Sequence, residues 1–301
     1  MYEQISSNKR RSALLILGFV VLVVLVVMAV DLLLGFGLIG LVVALVIAGT
    51  GSALSYWKSD AVALRMSHAK PADPATYARL HNLIEGLCIA AGLPKPRVYV
   101  IDDPAPNAFA TGRNPKHAAV AVTTGLLEKL NRVELEGVLA HELSHVKNYD
   151  ILVSTLAVTL VGVVVLLADF SLRSMWWGGG RRRGNRQGGG PGAILAVLGL
   201  LLLVAAPLVA RVMQFAVSRR RETLADVSGV ALTRYPPGLI SALEKLKADT
   251  TVVHSSSRAT AHLWVESPLA RTPEEGRLSR LNRLFDTHPP LEERILALKE
   301  L

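Results

Sequence analysis

The sequence predicts an α+β integral membrane protein: mostly helical, with a small β-sheet, its globular part interrupted by a hydrophobic helical hairpin. Three observations carry this. Hydrophobic residues make up 51% of the 301 positions, above the share usual in soluble chains, and they gather in four runs. Two short β-patterned stretches lie in the first half. A helix-patterned stretch with two histidines four apart stops where the third apolar run starts.

The runs come first. Ala13 to Val30 and Leu38 to Ser55, joined by a connector over Asp31 to Gly37, form a hairpin. Each run is about 18 residues long, near the lower limit for crossing a bilayer core. The first is too long, and too closely followed by the second, to be a cleaved leader. Lys9, Arg10 and Arg11, with Lys58, Arg65 and Lys70, mark the flanking side as cytoplasmic. The net charge of +9 follows the same logic: basic flanks hold apolar runs against an anionic lipid bilayer, and no aromatic platform or known module suggests nucleic acid. Ile151 to Ala168 and Ala193 to Ala210 form a second hydrophobic pair around a Gly/Arg-rich loop that matches no motif. Cys88 is the sole cysteine, which excludes an internal disulfide and suits a core position on a helix over about Tyr77 to Ala91.

The soluble stretches are too small to be separate domains but together suffice for one core. The expected division is a hairpin at 1–57, a first half of one domain at 58–150, an inserted hairpin at 151–213 and a second half at 214–301. Arg97 to Ile101 and Ala118 to Thr123 read as strands. Between them, Pro104 to Gly112 reads as a turn and a short extended piece. Val133 to Val146 reads as a helix with apolar positions at Val133, Leu135, Val138, Leu139 and Leu143. Asn131 is its N-cap and Glu134 the capping-box partner. The helix is expected to run on into the third apolar run. Thr250 to Arg280, with His254 and His262, reads as a long loop. A last helix covers Leu291 to Leu301, with Pro290 suited to its first position.

The histidine helix carries chemistry. His141 and His145 lie on one face and can hold one zinc ion, and Glu142 beside them can serve as general base. Peptide-bond hydrolysis is the usual use of this arrangement. A catalytic zinc needs a third protein ligand. Asn148 and Ile151 occupy the positions where the extended metzincin pattern needs Gly and His. Glu222 is the better candidate, with Asp226 one turn on to accept a ring N–H from a zinc histidine. The alternative for this pair is an exposed acidic face beside Arg219, Arg220 and Arg221. A short edge strand over Asn107, Ala108, Phe109 and Ala110 can pair with an extended substrate backbone; the alternative is an ordinary hairpin arm. His288, fixed ahead of Pro289 and Pro290, can donate to a developing oxyanion or simply cap and pack.

Taken together, Asn107 to Gly112, His141 to His145, Glu222 to Asp226, Thr287-His288-Pro289-Pro290 and the two hydrophobic pairs resemble the HtpX family of membrane zinc metalloproteases, in the wider group that includes the Ste24 CAAX prenyl protease. The resemblance covers nearly the whole chain. It implies a gluzincin-like zinc protease domain with one zinc ion on His141, His145 and Glu222. Glu142 would be the base and Asp226 a support for a ligand histidine. His288 and Arg294 would lie near the substrate carbonyl and the metal site, and Asn107 to Ala110 would be the substrate-pairing edge. It further implies a multi-pass protein of the bacterial inner membrane that cleaves unfolded or damaged membrane protein segments on the cytoplasmic side. The competing expectation is a non-catalytic membrane scaffold locked by zinc. Glu142 argues against it, since a structural site needs no base and usually has four protein ligands.

Overall fold

Two apolar helices, a four-stranded sheet and a set of helices around one buried helix make up the described residues. The computed structural model describes residues 2–34, 37–157, 219–253, 263–265 and 290–301, with the backbone alone over 2–5, 19, 22–23, 26–34, 37–41, 43–45, 47–48, 52, 55 and 219–220. The third run beyond residue 157, the fourth run, the Gly/Arg-rich loop, His254, His262 and His288 lie outside the described residues.

Helix α1 (Tyr2–Leu34) packs along α2 (Gly37–Met66). Their backbones stay helical over 33 and 30 residues. Among the residues with described side chains, no helical stretch is long and apolar enough to cross a membrane. The helices extend beyond the two apolar runs at both ends. The last turns of α2 enter the globular part, where Ala63 and Leu64 are buried against Ile101, Phe109, Ala119, Ala121 and Trp264.

The sheet joins β1 (Lys70–Pro71), β2 (Arg97–Ile101), β4 (Ala118–Thr123) and β3 (Ala108–Gly112) in that spatial order. Strands β2 and β4 are parallel and the other pairs antiparallel. Alternation along the strands sorts two faces. Val98, Val100, Val120, Val122, Ala108 and Ala110 share the main core, while Ile101, Phe109, Ala119 and Ala121 share the smaller one under α2. Both faces are covered, so the strands are apolar at nearly every position rather than at every second one. The loop after β3 turns at Gly112, with φ +135; a Cβ there would stand 2.3 Å from the His117 carbonyl oxygen, so only glycine fits.

Helix α3 (Ala78–Ala91) covers the main core and carries Cys88 inside it, where burial pushes the thiol up to about 11. The short α4 (Thr124–Lys129) follows β4 and leads to α5 (Arg132–Lys147). The capping box is formed: the Asn131 side chain accepts from the Val133 and Glu134 N–H groups, and Glu134 Oε2 accepts from the Asn131 N–H at 2.8 Å. Eleven of the sixteen residues of α5 are buried, far more than a one-sided stripe would bury. The reason is its place: α3, β3, α6 (Arg219–Thr233) and α7 (Pro236–Ala248) all pack against it. Val133 is the exception among its expected apolar positions, at 43% exposed. Gly137 meets α7 so closely that a Cβ would lie 2.8 Å from the Leu239 backbone nitrogen.

Helix α5 does not run on into the apolar run. It ends at Lys147, and Asn148 caps it with its N–H on the Ser144 carbonyl. Tyr149 sits in the left-handed region at φ 60, and a new helical segment covers 150–157. Helix α8 (Leu291–Lys299) closes the described chain, with Pro290 as its N-cap, one position earlier than expected.

Candidate metal centre

Helix α6 lies antiparallel to α5, because Glu222 faces both histidines, Asp226 faces His141, and Gly229 faces Ala140 and His141. A Cβ on Gly229 would lie 3.0 Å from the His141 nitrogen. The missing side chain is what lets the two ligand-bearing helices approach this closely.

His141 Nε2 and His145 Nε2 are 3.2 Å apart. Glu222 Oε2 lies 3.6 Å from the first and Oε1 3.7 Å from the second. A tetrahedral zinc with bonds near 2.05 Å places its ligand atoms about 3.3 Å apart. Two imidazole nitrogens and a carboxylate at these separations fit the corners of such a site, and the three residues form a metal-capable group. Charge agrees. Glu142, Glu222, Asp226 and Asp150 bring four carboxylates, Arg221 and Arg294 two guanidiniums; with both imidazoles neutral, as metal ligation requires, two negative charges remain for a divalent cation.

Each histidine is held from behind. His141 Nδ1 is 2.8 Å from Asp226 Oδ1. Asp226 in turn accepts from Arg294 Nε at 2.9 Å and Nη2 at 2.6 Å, and Arg294 Nη1 donates to the Val265 carbonyl at 3.1 Å. Burial pulls the His141 imidazole down, but Asp226 outweighs it and holds the ring up to about 9. Burial likewise pushes Asp226 up, and Arg294 with His141 overcomes this and holds it down to about 2. Such a carboxylate fixes which ring nitrogen faces the metal. Arg294 is thus wholly buried in the support of His141; its guanidinium also lies 3.4 Å from His141 Nδ1.

His145 Nδ1 is 3.1 Å from Asp150 Oδ2. Sequence reading missed Asp150. On a continuous helix a residue five positions on is rotated by about 140° from His145 and cannot reach its ring. The turn at Asn148 and Tyr149 folds it back. The signal available was weak: a carboxylate close behind a ligand histidine.

Glu142 is 2% exposed and lines the same cavity as His141, His145, Glu222, Ala110 and Val265. Burial raises its carboxyl above the usual range, against the pull of His141 and His145, and the Ala110 backbone N–H bonds to it. Ala108 to Ala110 belong to the edge strand β3. Asn107, just before it, is buried and accepts from the Ala108 N–H at 3.0 Å through Oδ1. The outer edge is not bare: the Val265 N–H donates to the Ala108 carbonyl at 2.9 Å, and Trp264 packs edge-on against Phe109 with ring centres 4.9 Å apart.

Two histidines and a glutamate from two antiparallel helices, with a further carboxylate in the same cavity, define a metallopeptidase-type centre. The comparisons with known proteins agree. The model of Peptidase family M48 matches residues 74–301, and the chain belongs to that family, as a metalloprotease. A "Protease HtpX homolog" of Caldanaerobacter subterraneus subsp. tengcongensis is 43% identical over 305 residues, covering 100% of this chain and 98% of its own. Homologs of the same name from Limosilactobacillus reuteri (43% over 304 residues, 100% of both chains) and Listeria monocytogenes (42% over 311 residues, 100% of both) are similar. Among solved structures, the crystal structure of S. mikatae Ste24p shares the fold with a TM-score of 0.53 at 17% identity, over 99% of this chain and 67% of that one.

Proposed function

We propose that this chain is a membrane-integrated zinc endopeptidase that hydrolyses peptide bonds of misfolded or damaged membrane proteins on the cytoplasmic side of a bacterial inner membrane. The observation that carries it is the convergence of His141, His145 and Glu222 at separations suited to one zinc, with Glu142 in the same cavity. A zinc ion held there would supply Lewis acidity for a carbonyl and for water.

The protein's own groups do the rest. Glu142 takes a proton from the attacking water and passes it to the leaving amine; its burial makes the carboxylate a stronger base than a solvated one. Asp226 and Arg294 keep His141 in the ligand orientation. An extended substrate pairs along β3 near Ala110, and to use Ala108 as well it must displace the Val265 N–H. His288 is proposed to face the reacting carbonyl.

The membrane part rests on the apolar runs and on large side chains that α1 and α2 leave uncovered: Leu14, Leu17, Val21, Leu25, Val46 and Leu54 are each about half exposed or more. A row of this kind suits lipid rather than water. The names of the relatives support the protease reading.

The test is cleavage of an unfolded membrane protein by detergent-purified protein. Glu142→Gln should keep its zinc and lose cleavage by at least about 100-fold, the scale of general-base catalysis. Retained cleavage by that variant would remove the mechanism.

A further inference from the structure

The support of His145 does not end at Asp150. Asp150 Oδ1 accepts from the Asn8 side-chain amide at 2.7 Å, and the same nitrogen donates to the Asn148 carbonyl at 2.8 Å. Asn8 belongs to α1, some 140 residues away in sequence, and is only 3% exposed. A buried amide on a helix otherwise bearing Lys9, Arg10, Arg11 and apolar residues is costly unless bonded. Here its nitrogen is bonded twice, to the two residues that form and follow the turn at Tyr149. Arg221 lies on the same carboxylate oxygen but at 3.7 Å, beyond hydrogen-bond reach. Asp150 Oδ2 therefore faces His145, while Oδ1 accepts from the first apolar helix and forms an ion pair with Arg221.

We propose that Asn8 is a positioning residue of the metal centre, holding Asp150 so that Asp150 holds His145 with Nε2 toward Glu222 and His141. Helix α1 is then a component of the site as well as an anchor. The chemistry is specific. With Asp150 free to rotate, the His145 ring loses the acceptor that fixes its tautomer, and the Asn148 carbonyl loses a donor where the chain leaves α5. Both changes act on one ligand and leave His141, with its own carboxylate and guanidinium, untouched. Supports of this kind typically alter metal affinity by about 10–100-fold when removed.

This inference rests on the zinc reading above, and wild-type zinc binding tests that reading separately. The experiment uses the full chain in detergent. Zinc affinity is measured by competition with a chelator, and the geometry of the site by the visible spectrum of the cobalt-substituted protein. Asn8→Leu fills similar space without the amide and should weaken zinc by about 10-fold and shift the cobalt band. Asn8→Gln, which keeps the amide, should recover part of the loss. Ser12→Ala removes a buried hydroxyl one turn further along α1, bonded only to the Asn8 backbone carbonyl, and should leave both readouts unchanged. In the background of Asp150→Asn, Asn8→Leu should add little, because the two act in series. Wild-type zinc affinity and spectrum in Asn8→Leu would overturn the proposal, as would full additivity with Asp150→Asn. Failure of the wild type itself to bind zinc would overturn the proposal and the zinc reading together.

Discussion

His141 and His145 stand one helical turn apart on α5, yet different parts of the chain hold them. His141 is backed by Asp226 from α6 and Arg294 from α8, a buried charge pair with three hydrogen-bonded guanidinium nitrogens. His145 is backed by Asp150 from the next helical segment and, through it, by an uncharged amide from α1. The first support is inside the globular core and is charge-balanced. The second runs to the apolar part of the molecule and balances charge only loosely, with Arg221 3.7 Å away. The comparison teaches that metal affinity and fold stability are coupled differently at the two ligands.

The largest effect is expected where the charge pair is broken. Asp226→Asn leaves Arg294 buried without its carboxylate and should cost about 3–5 kcal/mol, read by denaturant unfolding. Asp150→Asn should weaken zinc similarly but cost less stability, roughly 1–3 kcal/mol. Equal destabilisation by the two would erase the distinction. Next comes the helix contact behind His141. Gly229→Ala pushes α6 from α5 beside His141, whereas Gly137→Ala pushes α7 away from α5 one turn earlier in the helix. Each should lose about 1–3 kcal/mol, but only Gly229→Ala should weaken zinc, as measured by chelator competition.

The smallest effect tests the far end of α5. Burial pushes Glu134 up, but hydrogen bonds from Lys245, Ser241 and the Asn131 N–H prevail and hold its carboxyl below the usual range. A depressed carboxyl stabilises above its unfolded value and stops doing so as pH falls through the folded one. Glu134→Gln should therefore lower stability by roughly 1 kcal/mol at pH 7, and the gap to wild type should close as acid is added below about pH 4. A constant gap in melting experiments across that range would show that Glu134 acts only through shape.

Much of the site could be read from residue types at helical spacing. His141, Glu142 and His145 follow from one period, Glu222 and Asp226 from another, and the capping box at Asn131 and Glu134 from turn chemistry. The strands over 97–101 and 118–123 were legible because β-branched residues cluster there. Other features depend on tertiary contacts that periodicity does not encode. Asp150 reaches His145 only because Tyr149 breaks the helix. Asn8 stands next to Lys9, Arg10 and Arg11 in the sequence, and nothing local signals that its amide will be buried. Helix α7 begins at Pro236 and Pro237, which read more readily as a break than as a first turn. The docking of Val265 on β3 joins segments more than 150 positions apart.

That the candidate ligands lie on either side of residues 158–218 has a mechanical consequence. His145 and Glu222 lie about 77 positions apart, so an ion shared between them would act as a cross-link closing a loop of that size. Chain-entropy reasoning assigns such a closure about 4–5 kcal/mol. The same ion would then tie α5 to α6 across the intervening chain, and stripping it with a chelator should loosen the two helices as well as stop turnover.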